Sequence, residues 1–181
     1  RSRGLGDVYK RQIYDMKIIF CRHHSICEPG ILKSLPRLGH DVIEFMNDRE
    51  PQDYDKDYMI RLATLIQQTT DVCAILSVCF SPIIARASKP FGIPYISYTV
   101  DSPCSTLYSK TMEYPHNRLF LFDKLQLDKF RHRNPGNCFH TLLACDIEHF
   151  DNVTVSDADM KKYGTDVSFV GSLYSLSLIH I

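Results

Sequence analysis

The chain has 181 residues, and its 21 lysines and arginines balance its 21 aspartates and glutamates. That is about one domain's worth of chain, enough for a single hydrophobic core, and the balanced charge excludes a strong field for nucleic acid or a membrane surface. No apolar run approaches the roughly 20 residues that span a bilayer. No charged-then-apolar export signal precedes Met16, so a cytoplasmic protein without a transmembrane segment is expected.

The two ends read as one DNA element in opposite orientations. Asp7-Val8-Tyr9-Lys10-Arg11-Gln12 can be written GAT GTG TAT AAG AGA CAG, whose reverse complement translates as Leu-Ser-Leu-Ile-His-Ile. The chain ends Leu176-Ser177-Leu178-Ile179-His180-Ile181. The element resembles the transposon end used in sequencing libraries. Residues 1–12 and 176–181 are therefore expected to be adapter-derived and stand outside fold reasoning. The genuine protein is expected to start near Ile13, with Met16 as initiator, and to be cut off after Ser175.

Short apolar runs alternate with longer stretches of helical period. The first strand is expected over 17–21. A helix opens at Glu28-Pro29-Gly30 and runs to Leu38, with Gly39 as its stop and Pro36 as a kink or an early end. The second strand covers 41–45, and residues 47–53 form an acidic loop. A helix over 55–68 turns Tyr58, Leu62, Leu65 and Ile66 to one face. The third strand, 72–78, is apolar throughout. Ser81-Pro82 starts a helix, with proline in its favoured first position, and Gly92 and Pro94 end it. The fourth strand spans 95–100, and Asp101-Ser102-Pro103 turns the chain. A short helix follows over 105–112, a fifth strand over 119–122, a helix over 124–132, and a turn at Asn134-Pro135-Gly136-Asn137. The sixth strand is expected over 139–144. Ser156 caps a helix to Tyr163, and a last strand covers 167–170. This alternation predicts an α/β, Rossmann-like open parallel sheet with helices on both faces.

Ligands of such sheets bind beyond the carboxyl ends of the strands. The candidate loops are thus Arg22-His23-His24-Ser25, Cys79-Phe80-Ser81-Pro82, Asp101-Ser102-Pro103-Cys104, Asp123-Lys124 and Cys145-Asp146. The first lacks GxGxxG, which a tightly bound dinucleotide needs for close backbone approach. GxxxxGK[ST] and GxSxG are absent too, disfavouring a P-loop nucleotidase and an α/β-hydrolase. His23 and His24 read either as a general base or phosphate ligand, or as solvated loop histidines. Asp101 reads either as a carboxylate that takes a proton from a hydroxyl or as a helix cap. Asp123 carries the same two readings, with the cap favoured, and Asp146 reads as a turn residue. His116, His132, His140 and His149 share no metal-ligand spacing, so no metal site is expected. Tyr95 and Tyr98 fit strand packing rather than a base-stacking platform. The seven cysteines form no CxxC pair and read as reduced thiols.

The run Gly92-Ile93-Pro94-Tyr95-Ile96-Ser97-Tyr98-Thr99-Val100-Asp101-Ser102-Pro103, together with Leu119-Phe120-Leu121-Phe122-Asp123-Lys124, resembles the N-terminal domain of bacterial CgeB-like (spore-maturation type) glycosyltransferases. Asp166-Val167-Ser168-Phe169-Val170-Gly171-Ser172-Leu173-Tyr174 is similar to the segment where such proteins cross into a second domain. The resemblance implies a GT-B architecture of two Rossmann-like halves. Residues 13–165 would then be the acceptor-side half, and 166–175 the start of a crossover to an absent C-terminal domain. It further implies that a sugar or glycoconjugate acceptor binds this half. The nucleotide-sugar donor would bind the other half, so this chain holds no cofactor and is inactive alone. The candidate base on the acceptor side is Asp101, with His23 or His24 second; Ser81, Ser102, Pro103 and Asp123 are the acceptor-binding candidates. A non-catalytic α/β ligand-binding or regulatory module is the alternative. A receiver-like version of it is disfavoured, because Cys21-Arg22-His23-His24 stands where an acidic cluster would be needed.

Overall fold

The apolar runs 18–21 and 74–78 are strand segments buried on both sides, and in the computed structural model they pair with the other strands into one sheet. The structure describes residues 16–47 and 54–169; the two expected adapter segments and the acidic loop beyond Asn47 lie outside them. The elements are β1 (Met16–Arg22), α1 (Glu28–Arg37), β2 (His40–Met46), α2 (Lys56–Gln68), β3 (Val72–Val78), α3 (Pro82–Ser88), β4 (Tyr95–Thr99), β5 (Asn117–Leu121), α4 (Lys124–Phe130), β6 (Cys138–His140), α5 (Ile147–Asp151) and α6 (Asp157–Tyr163). All strand pairs are parallel, in the order β2-β1-β3-β4-β5-β6. The expected α/β, Rossmann-like open parallel sheet is what the chain forms.

The order reverses between β1 and β3. From β1 the chain steps outward to β2, then returns across β1 and adds every later strand on the other side. That reversal puts α1 on one face, where Cys27, Ile31, Leu32 and Leu35 pack against Ile18, Phe20, Leu76 and Val78. The other face carries the larger core. There α2 contributes Tyr58, Leu62 and Ile66, α3 contributes Ile83, Ile84, Ala85 and Ala87, and α4 contributes Leu127 and Phe130. The apolar face expected of α2 is thus the buried one. Asp55 opens that helix, its carboxylate accepting from the Tyr58 N–H at 2.9 Å.

Several boundaries differ from expectation. The sixth strand stops at His140, because β5 ends at Leu121 and offers no ladder partner beyond the Leu121–His140 pair. The helix expected over 105–112 divides into two 3₁₀ turns, Ser105–Tyr108 and Lys110–Glu113. Ser109 separates them in an extended conformation, its hydroxyl accepting from the Thr111 N–H, a local bond that competes with helix. The helix expected to reach His132 is α-helical only to Phe130 and then tightens to 3₁₀. α1 ends at Arg37, one residue past Pro36.

A second compact unit begins at Cys145. It holds the unexpected α5 and the expected α6, which Ser156 opens with a reciprocal capping box to Asp159. The last strand expected, over 167–170, is not formed at Val167 to Phe169, and Val170 lies outside the described residues. Val167 and Phe169 are exposed; an apolar run becomes a strand only where a sheet edge receives it. Among the described residues, no helix is long and apolar enough to cross a membrane.

Candidate functional site

Because every strand runs the same way, the loops after β1, β3, β4 and β5 share one edge of the sheet. The buried polar residues of the strands decide how each loop leaves it.

After β3, Cys79 adopts a left-handed backbone with φ 58°, an uncommon conformation for a residue with a side chain. Four bonds brace this turn. The Cys79 N–H donates to the Tyr98 carbonyl at 2.8 Å, and the Ser77 hydroxyl donates to the Cys79 carbonyl at 2.8 Å. Tyr95, fully buried, meets the Ser77 hydroxyl at 2.7 Å and accepts from the Ser81 N–H at 2.8 Å. With the Ser77 proton committed to Cys79, Tyr95 is the donor of its pair with Ser77. Burial, above all else, pushes the Tyr95 phenol up, keeping it neutral. Ser81 is therefore placed through its backbone, and its side chain makes no cap bond to α3.

After β4, Asp101, Ser102 and Pro103 are exposed, with the Ser102–Pro103 peptide cis. The loop is gripped from beneath by Gln126, which is 6% exposed. Its amide nitrogen donates to the Asp101 carbonyl at 3.1 Å, and its amide oxygen accepts from the Cys104 N–H at 2.7 Å. Asp101 does not cap the following turn, where Cys104 stands in the N-cap position. One carboxylate oxygen of Asp101 accepts from the Cys79 thiol at 3.2 Å. The other, Oδ1, has no hydrogen-bond partner among the described residues.

Asp123, after β5, joins this cluster. Its Oδ1 accepts from the N–H groups of Leu125 (2.8 Å) and Gln126 (3.4 Å), which is the capping role that the sequence favours. Its Oδ2 accepts a short hydrogen bond from the Ser102 hydroxyl. That bond first, and the capped N–H groups after it, hold the Asp123 carboxyl below the usual carboxylate range. Asp101, Ser102, Pro103 and Asp123 therefore form one connected group. Ser81 connects to it through the β3 loop, since the Thr106 hydroxyl donates to the Phe80 carbonyl at 2.6 Å.

The two histidines follow β1, on the far side of β3 from Asp101. His24 is exposed in a left-handed conformation with φ 62°. His23 is half-buried, its ring centroid 6.3 Å from that of Tyr58. The chemistry at this strand end belongs to Glu28, which is 1% exposed. It accepts from the His23 N–H at 2.6 Å and pairs with the Arg22 guanidinium at 3.1 Å, while Arg22 also reaches Glu44 at 2.5 Å. Burial opposes the charge on Glu28, yet the His23 N–H, Arg22 and the Ser25 backbone together hold its carboxyl below the ordinary value.

Sequence reasoning named the loops but missed Gln126, Tyr95 as an anchor of the β3 loop, and Glu28. Gln126 had a readable signal: it shares the buried face of α4 with Leu127 and Phe130, and a polar side chain on such a face needs a partner. Comparison with known proteins adds no relative: no family model matches the chain, and neither does any curated protein or solved structure.

Proposed function

We propose that this chain is the acceptor-side half of a sugar-nucleotide-dependent glycosyltransferase of GT-B architecture, similar to the CgeB-like enzymes. The observation that carries the reading is the state of Asp101. An exposed carboxylate stands at the carboxyl edge of a parallel sheet, relieved of any capping duty, with Oδ1 open to a ligand hydroxyl.

Glycosyl transfer to a hydroxyl requires removal of its proton as the bond to the sugar forms. Asp101 is placed to accept that proton. The Ser102 hydroxyl is directed to Asp123, so Ser102 and Pro103 shape the rim beside the base. Gln126 acts as a positioning residue, setting the loop through the Asp101 carbonyl. The negative charge on the departing diphosphate needs helix N-termini or basic groups. In this reading those belong to a second Rossmann-like half, which the described residues do not supply. His23 and His24, across β3, are second candidates for the base.

The test is a donor screen on a longer protein recovered by reading the source DNA past Ser175, followed by release of nucleoside diphosphate. Transfer from one nucleotide sugar, with Asp101→Asn lowering kcat by about a hundredfold or more, is the expected result. If Asp101→Asn transfers as fast as the parent, Asp101 is not the base. If no donor is consumed while the protein binds a small ligand at this edge, the non-catalytic binding module takes the place of the enzyme.

A further inference from the structure

Cys79 and Asp101 follow the carboxyl ends of two neighbouring strands, β3 and β4. The Cys79 thiol donates to Asp101 Oδ2 at 3.2 Å, across 22 residues of chain. Cys79 reaches that position with φ 58°, a left-handed backbone that disfavours a side chain and that glycine adopts freely. Strain of this kind persists where the surrounding structure over-determines it, and it gathers at working parts of a protein. Here the bonds to the Tyr98 carbonyl and from the Ser77 hydroxyl enforce it. What a side chain adds at this position is a thiol aimed at the carboxylate.

We infer that Cys79 is a positioning residue for Asp101: its thiol fixes Oδ2 and thereby presents Oδ1 to the ligand hydroxyl. The inference rests on the reading of Asp101 as the acceptor-side base. Two holds then define that base. Gln126 sets the backbone of Asp101 through its carbonyl, and Cys79 sets the rotation of the carboxylate. Without the second hold, an exposed side chain samples several rotamers, and misplacing a reacting atom by about an ångström slows a reaction severely.

The kind of donor matters as well. Asp123 accepts from a hydroxyl and from two backbone N–H groups, and these hold its carboxyl below the usual range. Donors of that strength favour the charged form and so weaken a base. A thiol is a weak donor. It fixes the orientation of Asp101 while drawing little on the charge that takes the proton.

The first test needs no activity. In the full chain, the infrared S–H stretch of Cys79 is isolated as the difference between each protein and its Cys79→Ser counterpart. In Asp101→Asn a neutral amide replaces the charged acceptor. The band should then move to higher frequency, with an unchanged far-ultraviolet circular dichroism spectrum. A band that stays in place would overturn the inference. The second test uses the longer protein of the donor screen. Cys79→Ala should lower kcat about tenfold or more with KM unchanged, and Cys79→Ser, which restores a donor, should recover most of the rate. A parent-like kcat in Cys79→Ala, while Asp101→Asn is slow, removes the positioning role and leaves the base standing. Equal losses in Cys79→Ala and Cys79→Ser remove it too, since the effect then traces to the shape of the turn. A parent-like kcat in Asp101→Asn strikes the base itself, and the role given to Cys79 falls with it.

Discussion

Two carboxylates at the same edge of the sheet, Glu28 after β1 and Asp101 after β4, have opposite environments. Glu28 is buried, ion-paired to Arg22 and bonded to the His23 backbone. Asp101 is exposed, and among the described residues only one of its oxygens is bonded, to a thiol. A charge enclosed on all sides by fixed donors can hold a loop but cannot exchange protons with a ligand. A charge at the surface, with its backbone held from below by a neutral amide, can do so. The same residue chemistry thus serves architecture at one end of the sheet's edge and is free for reaction further along it.

The sharpest way to break this contrast is Glu28→Gln. Arg22 keeps Glu44 as a counter-charge, but the buried acceptor of the His23 N–H and of Arg22 loses its charge, and a loss of about 2–3 kcal/mol in urea denaturation is expected. A loss no greater than that of a surface substitution would show that Glu28 is not structural. The pH dependence follows from the same pair. The folded carboxyl sits below its ordinary value of 4.5, so the unfolded chain binds the proton more readily. The stability from Glu28 is therefore full above that value and declines as pH falls from it toward the lower folded one. Denaturation curves of Glu28→Gln should lack this part of the acid slope.

Tyr95→Phe should cost about 1–3 kcal/mol, because the buried Ser77 hydroxyl and the Ser81 N–H lose their partner. The midpoint of thermal or urea unfolding measures it; an unchanged midpoint would remove Tyr95 as the anchor of the β3 loop. Gln126→Leu keeps the volume on the buried face of α4 but strips the grip on the Asp101 loop. A loss of about 1–2 kcal/mol is expected, with faster hydrogen exchange at the Cys104 amide, whose acceptor is gone. Unaltered exchange there would mean that the loop is held by other contacts. The smallest effect is expected for Asp101→Asn, whose unfolding midpoint should match the parent's. A clear destabilisation would place Asp101 with Glu28 as an architectural carboxylate and dissolve the comparison.

How much of this was readable beforehand varies by element. The third strand, 72–78, and the α2 face of Tyr58, Leu62 and Ile66 were legible, since continuous apolar character and a 3.6-residue period are local signals. The loops after β1, β3, β4 and β5 were legible too, because parallel strands fix which edge carries them, whereas Cys145-Asp146 falls in the second unit, beyond a sixth strand that ends at His140. The last strand was misread: the apolar alternation at Val167 to Phe169 says nothing about whether a sheet edge is there to meet it. The sixth was overextended for a related reason, its partner β5 ending at Leu121.

The sequence by itself determined the α/β class, the order of the six paired strands along the chain, and Asp123 as a helix cap, since each depends on residues close together in the chain. Only the tertiary structure decided the strand order β2-β1-β3-β4-β5-β6, the enclosure of Glu28, the hold of Gln126 on a loop 25 residues away, and the meeting of Cys79 with Asp101 across 22 residues. The physical reason is that hydrogen bonds and ion pairs are short-ranged. They join groups that neighbouring strands and the helices packed on them bring into reach, and a local pattern carries no record of which strands become neighbours.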